Sequence, residues 1–286
     1  METQLRIAIQ KSGRLSEDSL KLFKECGIKF INSTKKLKSS SHNFPVEFLF
    51  LRDDDIPGYV EDGVADLGIV GENVSEEKKK DVQLVKRLGF SKCRLSLAIP
   101  REVDYPGVQY FEGKSIATSY PVILGEYLAK EGVSADIQEI SGSVEIAPGI
   151  GLADGICDIV SSGSTLISNG LKEVEKIYKS EAVLIGNHNL SEEKQAILDK
   201  LIFRIDAVLS GKSSKYVLLN APNKEIDRIV ELLPGMRSPT VVPLATEGWS
   251  SVHSVINEDE FWNKIEELRA AGAEGILVVP IEKMII

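Results

Sequence analysis

Residues 151–166 read GLADGICDIVSSGSTL, and this stretch decides the fold. Ile156 to Val160 is an apolar run of strand length, and Ser161-Ser162-Gly163-Ser164-Thr165 is a small, hydroxyl-rich turn. From Leu166 the chain can begin a helix. A strand feeding a glycine-containing turn at a helix N-terminus presents free backbone amides. Those amides, the helix dipole and the hydroxyls of Ser161, Ser162, Ser164 and Thr165 suit a phosphate monoester. Asp158 sits on the strand, and Asp154 lies four residues earlier. Carboxylates beside a phosphate loop can accept hydrogen bonds from vicinal hydroxyls, and phosphate plus diol points to a ribose 5-phosphate. The plain alternative is a solvent-exposed serine turn with one helix cap. Asp158 inside an apolar strand weighs against it, because a carboxylate there needs a partner.

Outward from this stretch, short apolar runs alternate with helical patterns. Strands are expected at Leu5–Ile9, Val46–Leu51, Asp66–Val70, Arg94–Ile99, Ser115–Thr118 and Ile137–Ile140, with helices such as Ser16–Cys26 and Pro121–Lys130. The runs are near-continuous, as in strands covered on both faces, so the expectation is α/β layers with largely parallel sheets. The tail differs. Strands at Lys215–Asn220, Thr240–Leu244, Ser251–Ile256 and Gly275–Pro280, with helices at Lys224–Leu233 and Glu258–Ala271, give the order βαββαβ of a ferredoxin-like unit. A helix from Ser191 to about Leu209 joins it to the body, and Ser210-Gly211-Lys212-Ser213-Ser214 reads as the boundary.

The whole chain constrains the function class. Its 286 residues suit two or three domains, and 43% hydrophobic with 27% charged residues is an ordinary globular composition. A net charge of −9 argues against nucleic-acid or membrane-surface binding, though a nest of amides can still hold phosphate. No apolar run is long enough to span a bilayer, and the N-terminal residues lack the features of a signal peptide. Cys26, Cys93 and Cys157 are far apart and odd in number, so they read as small buried apolar residues in a reducing compartment, hence the cytoplasm.

Other strand-to-helix junctions carry further candidates. Lys11-Ser12-Gly13-Arg14 follows the first strand, where α/β sheets bind ligands, and its two cations could hold polyphosphate, Arg14 bidentately. Arg52-Asp53-Asp54-Asp55 precedes Pro57; the acids either cap a helix or gather Mg²⁺. Thr118 and Ser119 either cap the following helix or line the same cleft, and Glu145 follows a comparable Gly-Ser junction where it could face a bound sugar. His42, His188 and His253 have no companions that would make a catalytic or metal triad.

These segments resemble one family. LRIAIQKSGRLSEDS at 5–19, RDDDIPGYVEDGVADLGIVGENV at 52–74, CRLSLAIP at 93–100, IATSYP at 116–121, GSVEIAPGIGLADGICDIVSSGSTLISNGL at 142–171 and ILVVPIEKMI at 276–285 are similar to ATP phosphoribosyltransferase. The likeness runs end to end and includes the tail, so it implies the long form. It implies a two-lobed body like a type II periplasmic binding protein, with lobe one at 1–93 and 182–206 and lobe two at 94–181. It implies an ACT-like regulatory domain at 211–286 that binds histidine as inhibitor. The activity implied is condensation of ATP with phosphoribosyl pyrophosphate, with Mg²⁺ as cofactor and a homo-oligomer interconverting between dimer and hexamer. The resemblance places Asp158 and Ser161 to Thr165 on the ribose 5-phosphate, with Asp154 beside them. It places Lys11, Gly13, Arg14, Arg52, Thr118 and Ser119 near the nucleotide, and gives Lys11, Arg14, Glu145 and Asp158 the catalytic work. The competing readings are a prephenate-dehydratase-like enzyme, whose Thr-Arg-Phe motif is absent here, and a solute-binding module without catalysis.

Overall fold

The protein is described by a computed structural model covering residues 3–31, 37–233 and 235–286. The first residues of the expected lobe one, 1 and 2, lie outside that description. The chain forms two compact units, 1–21 with 28–197 and 22–27 with 198–286.

In chain order the strands are β1 (Leu5–Gln10), β2 (Lys38–Ser40), β3 (Val46–Leu51), β4 (Leu67–Gly71), β5 (Gln83–Arg87), β6 (Cys93–Pro100), β7 (Ser115–Thr118), β8 (Asp136–Glu139), β9 (Gly155–Val160), β10 (Leu171–Ser180), β11 (Ala182–Gly186), β12 (Ser214–Pro222), β13 (Thr240–Pro243), β14 (Trp249–Asn257) and β15 (Glu274–Pro280). The helices are α1 (Arg14–Glu25), α2 (Ile56–Glu61), α3 (Glu72–Lys78), α4 (Pro121–Glu131), α5 (Ser164–Ser168), α6 (Glu192–Ser213), α7 (Ile226–Leu232) and α8 (Glu258–Ala270).

The first unit holds a six-stranded sheet in the order β2-β3-β1-β4-β11-β5 and a five-stranded sheet in the order β10-β6-β9-β7-β8. These are the two α/β lobes. The chain passes from the first to the second between β5 and β6 and returns between β10 and β11. Both sheets are mixed, which departs from the largely parallel expectation. β3, β1 and β4 are parallel, as are β8, β7 and β9, whereas β2, β5, β6, β10 and β11 pair antiparallel. The antiparallel members β2, β5 and β10 are also strands the apolar pattern does not announce, whereas β11, AVLIG, is an apolar run that is not among the expected strands. β10 reads LKEVEKIYKS, and its charged residues hide a strand that lies at the sheet edge.

Burial follows the pattern of the sequence. Leu5, Ile7, Ala8 and Ile9 of β1 are fully enclosed, as befits a central strand covered on both faces. Helix α4 starts on Pro121 and stops at Gly132, whose left-handed φ of 68° lets Gly132 N–H reach Ala129 O and Val133 N–H reach Leu128 O at 3.0 Å.

In the second unit β13-β14-β12-β15 form an antiparallel sheet carrying α7 and α8, the ferredoxin-like βαββαβ order. Val217, Leu219, Ile229, Val252, Phe261 and Leu268 build its core. The expected break at Ser210–Ser214 is instead helical through Ser213. At Gly211 a Cβ would lie 2.9 Å from Ile281 O and Lys283 N, so the terminal segment packs directly on the helix backbone.

Candidate active site

Parallel strands that end at one edge gather their following turns there, and that carboxyl edge is where open α/β sheets hold ligands. In the six-stranded sheet the edge carries Lys11–Gly13 after β1, Arg52–Asp55 after β3 and the start of α3 after β4. In the five-stranded sheet it carries Ser119-Tyr120 after β7, the segment to Glu145 after β8 and Ser161–Gly163 after β9.

The serine turn folds as its composition predicts. Gly163 takes a left-handed φ of 81° and α5 follows directly. Ser162 Oγ lies 3.0 Å from Ser164 Oγ. Glu145, Asp158 and residues Ser161 to Leu166 line a cavity of about 180 Å³. Burial pushes the Asp158 carboxyl above its ordinary range, and the charge of Glu145 pushes the same way, against the Ile159 N–H that donates to it at 2.7 Å. Among the described residues no cation pairs with either carboxylate. Two acids and a row of hydroxyls therefore face one small space, a setting for a ligand that brings hydroxyl donors.

Asp154 is not part of this space. It precedes β9, whereas the turn follows it, and an extended strand of that length separates the two by roughly 20 Å. Its Oδ2 accepts the N–H of Ser115 at 2.9 Å and the hydroxyl of Ser115 at 3.0 Å, and that backbone donor chiefly holds its carboxyl below the usual range.

A second cavity of about 430 Å³ adjoins the first, sharing Ile159 and Ser161 with it. Both lobes line it: Arg14, Asp53 and Asn73 from one, Cys93, Tyr120 and Ser161 from the other, with Lys92 on the connection between them. Gly13, at a φ of 95°, turns the chain so that its carbonyl accepts Glu17 N–H at 3.1 Å and α1 begins with Arg14 at the cleft. Lys11 N–H donates to Leu51 O at 2.8 Å, which ties this turn to β3; the side chains of Lys11 and Arg52 stay exposed at the same edge.

Thr118 and Ser119 do not offer hydroxyls to the cleft. Thr118 is fully buried with its Oγ1 accepting Tyr120 N–H at 2.9 Å, and Ser119 Oγ donates to Ile140 O at 2.6 Å. They shape the turn before α4. The three acids at 53–55 form a 3₁₀ turn, and neither it nor α2 receives a side-chain cap from them. Asp54 pairs with Lys78 at 3.4 Å, leaving Asp53 as the cleft acid. Among the described residues no group of three or more His, Cys, Asp or Glu side chains could hold a metal ion.

Tyr120 and Asn73 are the residues that sequence reasoning passes over. Burial raises the Tyr120 phenol, with Asp158 from its own lobe and Asp53 and Asp54 from the other adding to the effect. Its only signal is its place before Pro121 at a junction. Asn73 is buried and its Oδ1 accepts the Ser180 hydroxyl at 2.7 Å, while Nδ2 has no partner among the described residues. Burial keeps the three cysteines as thiols, Cys26 being pushed up to about 12.

Residues 52–207 match the family profile described as ATP phosphoribosyltransferase, and residues 211–283 match that of the HisG C-terminal domain. The chain belongs to the ATP phosphoribosyltransferase family. With its C-terminal domain it is of the long form. It is 61% identical over 285 residues to ATP phosphoribosyltransferase of Cytophaga hutchinsonii, covering 100% of both chains. It is 62% identical over 282 residues to that of Phocaeicola vulgatus, covering 99% of this chain and 100% of the relative. Among solved structures it resembles a chain of the ATP phosphoribosyl transferase (HisG:HisZ) complex from Thermotoga maritima, with a TM-score of 0.60 and 29% identity, over 71% of this chain and 98% of that one. No helix among the described residues is long and apolar enough to cross a membrane.

Proposed function

We propose that the chain joins ATP to 5-phosphoribosyl 1-pyrophosphate, giving N1-(5-phosphoribosyl)-ATP and pyrophosphate, the first step of L-histidine biosynthesis. The observation that carries this reading is the pairing of Asp158 and Glu145 with the Ser161–Thr165 turn in one cavity, inside a chain of this family. The turn holds the 5-phosphate, and Asp158 accepts hydrogen bonds from the ribose hydroxyls, with Glu145 beside it. The adjoining cavity takes the nucleotide. There Arg14, with Lys11 and Arg52 exposed at the same edge, offsets repulsion between two polyphosphates.

The adenine N1 attacks C1 of the ribose as pyrophosphate leaves from the same carbon. N1 of neutral adenine carries a lone pair and needs no general base. Charge develops on the ring in an oxocarbenium-like transition state, so positioning and electrostatics supply most of the acceleration. Anchoring the remote 5-phosphate lends binding energy to the reacting carbon.

Mg²⁺ is the expected cofactor. The scattered carboxylates fit an ion that arrives on substrate phosphates and takes one or two protein oxygens, with Asp53 the acid that faces the nucleotide cavity. When bound, it neutralises the leaving pyrophosphate. The C-terminal domain binds histidine and lowers activity by favouring a closed or hexameric state over an active dimer, through differential affinity for the two states. The location is the cytoplasm.

The test is direct. Purified protein is mixed with ATP, phosphoribosyl pyrophosphate and Mg²⁺, pyrophosphate is removed as it forms, and product absorbance is followed with and without histidine. Turnover suppressed by histidine supports both parts of the reading. Turnover indifferent to histidine removes the regulatory part, and no turnover by intact, folded protein removes the whole.

A further inference from the structure

The segment CRLSLAIP forms β6, and its polar residues Arg94 and Ser96 alternate with buried leucines. Antiparallel pairing with β9 sets Ser96 opposite Asp158 and Arg94 opposite Val160. Residues opposite one another in such a pair share a face. Arg94 and Ser96 therefore stand on the face of the sheet that carries Asp158.

Glu173 of β10 completes a chain of contacts on that face. Arg94 donates to both of its oxygens, from Nε and Nη2, and Ser96 Oγ donates to Oε1 at 2.8 Å. The remaining arm of the guanidinium goes elsewhere: Nη1 donates to the carbonyl of Ser161 at 3.0 Å. Ser161 is the first residue of the serine turn, and it lines both cavities of the cleft as well as a third of about 400 Å³ beside Arg94.

An ordinary cross-strand ion pair does not account for this. Arg94 lies opposite Lys179 in the β6–β10 register, and Glu173 lies opposite Ala98. The two side chains meet only because each runs along the sheet toward Ser96. Nor does an ion pair need its guanidinium to reach a loop carbonyl.

The consequence follows from peptide geometry. In a planar trans peptide the C=O and the next N–H point in opposite directions. Fixing the Ser161 carbonyl toward Arg94 turns the Ser162 N–H the other way. Ser162 lines the phosphate cavity, and its N–H has no partner among the described residues. We propose that Arg94 is a positioning residue for the phosphate turn: Glu173, buttressed by Ser96, orients the guanidinium, which pins Ser161 and aims the Ser162 amide at the 5-phosphate. This rests on the function proposed above. Arg94 touches no substrate and acts through the turn. Lysine cannot replace it, because the role takes a fork on Glu173 and a further donor at once.

The full-length chain with Arg94→Lys, Arg94→Met or Glu173→Gln is compared with the unmodified protein in steady-state kinetics, each substrate varied in turn. Losing one charge-assisted contact should raise KM for phosphoribosyl pyrophosphate by roughly tenfold to a hundredfold in both Arg94 variants, and by less in Glu173→Gln. KM for ATP should stay within about threefold, because one turn and not the fold is disturbed. Calorimetry with ribose 5-phosphate alone should show the same loss of affinity. Unchanged KM in the Arg94 variants, full rescue by lysine, or an equal rise for both substrates alongside a lower melting temperature would each overturn the assignment. Should the Arg94 variants not fold, Ser96→Ala is read by the same split. If the unmodified protein binds ribose 5-phosphate without turning over ATP, the activity reading fails while calorimetry on the variants still decides the role of Arg94.

Discussion

Glu77 Oε2 accepts the backbone N–H of Ile123 at 3.0 Å, and its Oε1 accepts that of Val122 at 2.8 Å. Glu77 belongs to α3 of the first lobe, and the amides belong to the first turn of α4 in the second. Tyr120, at the N-cap of α4, gives no side-chain cap of its own. A carboxylate from the other lobe thus satisfies the open donors and complements the helix dipole. Glu77→Ala should lower stability by about 1–2 kcal/mol in urea unfolding. Glu77→Gln should recover part of that loss, since one acceptor oxygen remains. The neighbouring Lys79–Glu126 pair, 2.9 Å apart but half exposed, should change stability by less than about 1 kcal/mol when Lys79 is replaced by Ala. Equal losses from Glu77→Ala and Lys79→Ala would mean general electrostatics and not capping.

The buried carboxylate of Asp158 costs stability at neutral pH. Burial raises its carboxyl, so the folded chain holds the proton more tightly than the unfolded one. Stability contributed by this group therefore falls as pH rises from the ordinary value of 3.8 through the raised one, and the cost of the charge is present in full at neutral pH. Asp158→Asn should unfold at higher urea than the unmodified protein at neutral pH, and the difference should shrink in acid. The same change should weaken ribose 5-phosphate binding by roughly tenfold to a hundredfold. A variant that binds normally would overturn the proposed role of Asp158 at the sugar.

Gly163 should tolerate a methyl group sterically but not conformationally. A Cβ there would lie 3.9 Å from Val160 Cγ1, which is ordinary contact, yet the φ of 81° costs an L-residue about 1–2 kcal/mol. Gly163→Ala should therefore raise KM for phosphoribosyl pyrophosphate several-fold and leave KM for ATP nearly unchanged, as read in paired steady-state assays.

Gly211→Ala runs against helix propensity. Alanine favours an exposed helix interior by about 1 kcal/mol over glycine. Here the added carbon meets the backbone of residues 281–283 at 2.9–3.0 Å. The second unit should lose about 1–3 kcal/mol in calorimetric unfolding, as overpacked sites do. A gain in stability would show that the terminal segment moves aside freely.

The serine turn was legible because everything it needs is local: an apolar strand, a glycine at the left-handed position and hydroxyls around it. The βαββαβ tail was legible for the same reason, its strands and helices each carrying their own period. What stayed hidden depends on partners distant in sequence. Glu173 looks like one charge among several in LKEVEKIYKS until β10 pairs with β6. Thr118 and Ser119 read as open to either a helix cap or a place in the cleft, and Tyr120 N–H and Ile140 O engage them instead. Asp154 and Asp158 are close in sequence, but Asp154 precedes β9 and pairs with Ser115, while Asp158 lies within the strand toward the serine turn. SGKSS has the composition of a linker, yet it continues α6 through Ser213, with Gly211 packed against residues 281–283, a contact distant in sequence.

The order of strands also constrains how the chain can assemble during synthesis. β11 lies between β4 and β5, yet it is made after the whole of the second lobe. Until residues 182–186 emerge from the ribosome, β4 and β5 have no common neighbour, and each leaves backbone donors and acceptors open to foreign strands. The second lobe has all five of its strands by residue 180 and can close first. The part of the chain translated earliest is thus completed late, with its edges open while the second lobe is made.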